Sequence, residues 1–388
     1  MECCGPTGPE ACRRRVERSS LRAMKADTLG QLIMTGVPGK ELDAETARLF
    51  RRVQPGAYIL FGRNLGSATQ LRKLIDDLRD LSDIEPIITI DQEGGRVSRL
   101  RRIGNEPPNA QQLRNKNDID LIRRHGDITG RLLRLFGFNL DLCPVLDISF
   151  NDDAENSLYG RCYGKTVQQV VSNAAAFNDA MRGQGIASCG KHFPGYSAAT
   201  SDAHFQLPRI DRPREQLDQN ELAVFRQFVD DVDSMMVCHG WYPCFESQPT
   251  PATVSHRIVT ELLRNEFGFD GLVMTDDLDM GAILIRYRLD DTIRLCLEAG
   301  NDIMMLCHRV PEIETVHRIL GTLPSDQIER AQQHIGEFKK NMSPPRKFSE
   351  HAFQEINQEI ADLRTAVVGE VETGKVVSER QISPVERF

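Results

Sequence analysis

Three stretches of the chain carry residues that can do chemistry. In Gly-Phe-Asp-Gly-Leu-Val-Met-Thr-Asp-Asp-Leu-Asp-Met, residues 268–280, an apolar run ends in two carboxylates, Asp276 and Asp277. Side chains alternate along a strand, so only one of the two is expected to point into an open site. The other, Asp277, and with it Asp279, then suits a helix N-terminus. A carboxylate placed at a strand end is the nucleophile with which a retaining glycosidase attacks an anomeric carbon. In Gly-Lys-His-Phe-Pro-Gly-Tyr-Ser-Ala-Ala-Thr-Ser-Asp-Ala-His, residues 190–204, Lys191 and His192 end an apolar run and a small-residue loop carries Asp202 and His204. Residues two apart in an extended segment share a side, so Asp202 is expected to orient the His204 imidazole and stabilise its charged form. That makes an acid/base pair tuned near neutrality. The plainer reading is a polar surface loop. Metal ligation finds no further carboxylate or histidine at suitable local spacing, so neither a metal nor another cofactor is expected.

The third stretch is Ile-Asp-Gln-Glu-Gly-Gly-Arg-Val-Ser-Arg, residues 90–99. Asp91 ends a strand, two glycines turn the chain, and Arg96 and Arg99 are expected within reach of the same pocket. A carboxylate and an arginine fork suit recognition of sugar hydroxyls. Taken alone, Asp91 reads equally as an acid capping a helix. Arg161, in Leu-Tyr-Gly-Arg-Cys-Tyr-Gly, is by itself an ordinary loop arginine, and Asp147 reads as a structural support.

These residues need a frame. Eight near-continuously apolar runs recur at 31–37, 56–61, 86–91, 139–145, 186–193, 235–242, 271–277 and 302–307. Unbroken apolarity of this kind marks parallel strands buried on both faces. Helical patterns lie between them, at 67–81, 121–136, 166–184, 215–231 and 290–299. Eight such units predict a single TIM (β/α)8 barrel with room for irregular strands, over 26–345. A doubly wound sheet would alternate likewise, but no GxGxxG follows an early strand. Asp91, Lys191, His192, His239 and Asp276 all fall at C-terminal strand ends, the rim where such barrels hold their chemistry. Phe353, Ile356, Ile360, Leu363 and Val367 recur at helical spacing, which predicts an amphipathic helix over 350–368 within a C-terminal segment 346–388 whose end is loose. Residues 1–25 read as a disordered extension, without the apolar segment of a secretory signal, and Met24 is an alternative start.

The formal charge of -8 argues against a nucleic-acid partner, which needs a basic face. No stretch is apolar enough to span a membrane. The ten cysteines are irregularly spaced, without paired CxxC motifs, and read as reduced thiols of a cytoplasmic protein. A monomer or weak homo-oligomer is expected.

Taken together and in order, DQEGGRVSR, KHFPG followed by an Asp-x-His loop, and LLRNEFGFDGLVMTDDLDM resemble the β-N-acetylhexosaminidases of glycoside hydrolase family 3, in their single-domain bacterial form, over about residues 30–320. The resemblance implies that Asp276 is the nucleophile and His204 the general acid/base with Asp202 as its partner. It implies that Asp91, Arg99, Arg161, Lys191 and His192 bind the sugar. The implied substrate is a small glycan or muropeptide, cleaved in peptidoglycan recycling. A phosphorylase or β-glucosidase of the same family, and a silent sugar-binding barrel, are the alternatives. Where the family usually has His-Gly after KHFPG, this chain has Tyr196-Ser197, and its dyad reads Asp-Ala-His where Asp-Ser-His is usual. Cys162 also replaces a small residue after Arg161.

Overall fold

The computed structural model describes residues 28–153, 156–199 and 201–370. The extension expected over 1–25 and nearly all of the loose C-terminal end lie outside the described residues.

Eight parallel strands form the core: β1 (Ile33–Gly36), β2 (Ala57–Leu60), β3 (Ile87–Ile90), β4 (Leu140–Asp141), β5 (Ala187–Phe193), β6 (Ser234–Val237), β7 (Leu272–Thr275) and β8 (Met304–Leu306). Each pairs with its neighbours in chain order, and β8 pairs with β1. A parallel bridge between Met274 and Ile303 closes the ring between β7 and β8, so the sheet is a TIM barrel. The strands are buried on both faces, as their unbroken apolar runs require. Outside them pack α1 (Ala44–Val53), α2 (Ala68–Asp80), α3 (Ile119–Phe136), α4 (Val167–Gly183), α5 (Glu221–Gln227), α6 (Arg257–Glu266, wound as a π-helix), α7 (Leu289–Ala299) and α8 (Ile313–Leu320). Local sequence sets their ends. Asp43 caps α1 by accepting from the Glu45 and Thr46 amides, and Ser67 and Gln70 form a capping box on α2. Gly137 at φ 97° ends α3, a left-handed turn that favours glycine.

Some elements are shorter than their apolar runs. β4 spans two residues of the expected 139–145, although pairing resumes beyond it, where the Pro144 carbonyl accepts from the Lys191 amide and Val145 bridges Lys191. The helix expected over 215–231 is two helices, Arg214–Gln219 and α5. Between them Asn220 leaves helical geometry and its side-chain amide donates to the Gln216 carbonyl, a local bond that competes with the helix.

The C-terminal helix α9 (Glu350–Val368) lies against the barrel wall. Phe353 meets Phe136 edge-on at 5.4 Å, Glu359 takes a two-pronged bond from Arg131, and Arg364 pairs with Glu106. Phe353, Ile356, Ile360 and Leu363 are buried, whereas Val367 is half-buried. Among the described residues no helix is long and apolar enough to cross a membrane.

Candidate active site

The loops at the C-terminal ends of the strands enclose a pocket of about 790 Å³, open solvent at its mouth included. Asp91, Arg99, Arg161, Lys191, His192, Asp202, His204 and Asp276 all line it. Five different loops or strand ends therefore converge on one concave space, as at a small-molecule site.

The floor is a buried ionic cluster. Lys191, on β5, donates to Asp91 at 2.8 Å and pairs with Glu93 at 2.6 Å. Arg99 bonds Asp91 at 3.0 Å, and Arg161 grips both oxygens of Glu93 at 2.7 Å each. Burial would raise the Asp91 carboxyl, but the Lys191 ammonium and Arg99 guanidinium hold it well below the usual carboxylate range. Burial also opposes ionisation of Glu93, and Arg161 and Lys191 bring it down to about 2. Burial would strip the Lys191 proton, yet the two carboxylates push its affinity above the ordinary value. These side chains are charged where water is scarce, and each has partners, as buried charges must.

Glu93 escaped the sequence reading. The available signal was its place two residues beyond Asp91, on a segment that proves extended: Gln92–Gly94 pairs with Val97–Ser98 as a small hairpin. Gly94 (φ 109°) and Gly95 (φ 54°) make its turn, and a Cβ on Gly94 would lie 2.3 Å from the Pro108 carbonyl oxygen. Arg96, expected in the pocket, turns away. It stacks over Tyr159 and donates to the Ser157 carbonyl, because it sits in the hairpin turn rather than on the pocket side.

His192 is oriented from behind. Its Nδ1 bonds Asp147 Oδ2 at 2.7 Å, which assigns the proton to Nδ1 and turns Nε2 towards Arg161 at 3.4 Å. Asp147, fully buried, also accepts from the His192 and Tyr196 amides.

On the far side of the pocket, Asp202 and His204 form a pair at 2.7 Å, Oδ1 to Nδ1. The segment is a turn, not the extended stretch expected. Asp202 Oδ1 also accepts from the His204 amide, and the Asp202 carbonyl accepts from the Phe205 amide. The turn therefore brings the two side chains together by bending the chain. Burial would lower the His204 pKa, but the Asp202 bond and charge, with Asp276 and Asp277 beyond, raise it above the ordinary histidine value.

Asp276 follows β7, and both it and Asp277 face the pocket, against the expectation that only one would. Nor does Asp277 cap a helix. Its carboxylate accepts from the Asp279 and Cys307 amides, tying the end of β7 to that of β8. Burial, then Asp279 and Asp276, push Asp277 up to about 7. Asp279 bonds the His308 and Arg309 amides and the Arg309 side chain, again across to the β8 loop. His239, a rim residue in sequence, does not line the pocket. It is fully buried, with Nδ1 bonded to Thr253 and Nε2 donating to the Asp277 carbonyl, and burial lowers its pKa.

A carboxylate, a carboxylate-backed imidazole and a fixed array of donors and acceptors thus share one cavity, the set required for attack, proton transfer and polyol recognition. Among the described residues no three His, Cys, Asp or Glu are grouped to hold a metal ion.

The profile of the glycosyl hydrolase family 3 N terminal domain matches residues 24–338. A β-hexosaminidase of Vibrio cholerae is 33% identical over 299 residues, spanning 76% of this chain and 87% of its own length. One from Alkalilimnicola ehrlichii is 34% identical over 299 residues, spanning 75% and 84%. Among solved structures, a glycoside hydrolase family 3 β-N-acetylglucosaminidase from Paenibacillus sp. superposes with a TM-score of 0.80 at 30% identity, covering 87% of this chain and 68% of that one. The β-N-acetylhexosaminidase of Beutenbergia cavernae shares the fold, with a TM-score of 0.74 at 24% identity, covering 81% and 98%.

Proposed function

The chain belongs to glycosyl hydrolase family 3, and we propose that it is a retaining, exo-acting β-N-acetylhexosaminidase that removes a terminal, non-reducing β-linked N-acetylglucosamine. One observation carries this reading: Asp276 and the Asp202–His204 pair face the same pocket, whose floor is the Asp91–Lys191–Arg99 cluster with Arg161 and His192 beside it. The names of the relatives supply the sugar.

The reaction takes two steps. His204, as imidazolium, protonates the leaving oxygen while Asp276 attacks the anomeric carbon and forms a glycosyl-enzyme. The neutral imidazole then takes a proton from water, which attacks the same carbon and frees the sugar with retained configuration. The raised pKa of His204 favours the protonated form that the first step consumes. Asp91, held ionised, and the His192 Nε2 accept hydrogen bonds, while Lys191, Arg99 and Arg161 supply donors around the sugar. The substrates are small cell-wall fragments, muropeptides handled in the cytoplasm during peptidoglycan recycling.

Leaving-group dependence tests the assignment. Asp276→Asn is expected to abolish turnover of every substrate. His204→Ala is expected to lose about 10²–10⁴-fold on an alkyl glycoside, the worth of a general acid, while glycosylation by a dinitrophenyl glycoside survives with a burst. Azide, which needs no deprotonation, then restores its turnover. Equal losses on both substrates, with no azide effect, would remove His204 from the role. Repeating the wild-type assay with phosphate and looking for a sugar 1-phosphate separates hydrolysis from phosphorolysis.

A further inference from the structure

The acid/base pair sits on a turn, and something must hold that turn over the pocket. Two backbone bonds do so from the β7 side: the Gly281 amide donates to the His204 carbonyl and the Ala282 amide to the Ala203 carbonyl, each at 3.0 Å. The Tyr196 side chain reaches the same turn. The Tyr196 hydroxyl donates to the Ser201 carbonyl at 3.2 Å and accepts from the Ala203 amide at 3.0 Å. These are the peptide groups immediately before and after Asp202. One phenol thus brackets the residue that orients His204.

Tyr196 is itself tied to the floor. Its amide donates to Asp147 Oδ1 at 2.6 Å, and the other oxygen of that carboxylate holds His192 Nδ1. The next residue, Ser197, accepts through its hydroxyl from the Ile148 amide. The Tyr196 ring is 5% exposed and lies 6.1 Å from the His192 ring. Its position is therefore set by the same buried acid that sets a pocket-floor histidine, and its far end fixes the turn.

We propose that Tyr196 is a positioning residue for the acid/base pair: its hydroxyl, fixed from Asp147, holds the Ser201–Ala203 turn so that Asp202 presents the His204 imidazole to the leaving oxygen. This rests on the assignment of His204 as acid/base. A residue that only filled the core would need its ring and not its oxygen, whereas here both hydrogen-bonding capacities of the oxygen are spent on the turn. Burial holds the phenol well above its ordinary pKa, so it stays a donor throughout the range in which histidine titrates.

Tyr196→Phe keeps the ring and removes the latch. The measurement is the ratio of kcat/KM for dinitrophenyl and methyl N-acetyl-β-glucosaminides, taken in one preparation so that the folded fraction cancels. Losing two neutral hydrogen bonds is expected to raise this ratio about tenfold over wild type, by slowing the methyl glycoside and sparing the activated one. The same substitution in a His204→Ala background is expected to change the ratio by less than about twofold, since the group it positions is gone and coupled residues are not additive. An unchanged ratio in Tyr196→Phe beside a raised one in His204→Ala overturns the role of Tyr196 alone. So does an equal loss on both substrates, or a loss that multiplies with that of His204→Ala. If His204→Ala itself leaves the ratio unraised, the acid/base assignment fails and this proposal with it.

Discussion

Replacing Asp202 by Asn isolates charge from geometry in the acid/base pair. The amide oxygen can still accept from the His204 amide and from Nδ1, the two bonds made now by Oδ1 at 3.0 and 2.7 Å. What disappears is one negative charge beside the imidazole. An opposite charge beside an imidazole favours its protonated form, and the pair, 17% and 23% exposed by side chain, is sheltered enough for that charge to count. The His204 pKa is therefore expected to fall. Asp276 and Asp277 also favour the imidazolium and remain in place, which bounds the fall. The sign follows from the first step. On the proposed mechanism the enzyme acts while His204 is protonated and fades as pH rises through its pKa, so a lowered pKa moves the alkaline limb of kcat/KM to lower pH. The assay is that profile, measured with a methyl glycoside whose leaving group needs the proton. Well above the new limb, the variant is expected to lose about tenfold, part of the roughly 10²–10⁴-fold that a general acid is worth, while well below it the loss stays within a few-fold. A limb that stays put, or moves to higher pH, would refute the electrostatic role of Asp202.

Lys191→Met tests the floor through stability. It leaves Asp91 and Glu93 buried without their shared cation, and breaking such a cluster costs about 3–5 kcal/mol, to be read from urea unfolding near neutrality. The depressed carboxyls stabilise the wild type above their unfolded pKa values, and that contribution is lost as pH falls through the folded ones, so the gap between the proteins is expected to narrow below about pH 4; a pH-independent gap would contradict this. Truncation after Pro345 removes α9 with its four buried apolar side chains, each worth at most about 1.5–3 kcal/mol before the cost of ordering the helix. Calorimetry is expected to show a Tm lower by several degrees with kcat/KM retained at low temperature, and an unchanged Tm would mean that the packing against Phe136 contributes nothing.

The frame was legible because burial on two faces leaves a plain mark: an apolar run ending in a polar residue. β3 and β7 end that way at Asp91 and Asp276, β5 carries Lys191 and His192 just before its last residue, and the residues so marked converge. Element length was not legible: β4 is shorter than its apolar run, and the asparagine before α5 breaks a helix through a single local bond that apolarity does not report. The pair Asp202–His204 was found by a false route. Spacing by two brings side chains together in a strand, but here an Asx-type turn does it, and either geometry yields the same two residues. Glu93, Tyr196 and His239 show the opposite limit. Their roles depend on which way a side chain leaves a turn or a strand end, and that is settled by contacts up to 68 residues away, such as Arg161 with Glu93.

The arrangement also accounts for why a rigid, charged floor can serve a reaction that makes and breaks a bond to a carboxylate. Two carboxylates, Asp91 and Glu93, face three cations, Lys191, Arg99 and Arg161, so the cluster carries one positive charge in excess. Asp276 on the same pocket offsets it. In the proposed first step Asp276 gives up its charge by becoming an ester, and His204 gives up its own by releasing a proton to the leaving oxygen. The loss of one negative and one positive charge leaves the total unchanged, and hydrolysis restores both. Buried ion pairs are costly to reorganise, and a double displacement run between these two residues asks for none. The proton must still be delivered to a leaving group and later taken from a water, which lie where the departing half of the substrate has been. That demand fits the proposed roles: Asp276 follows a barrel strand, while His204 sits on a turn tied to the β7 loop and to the Tyr196 phenol.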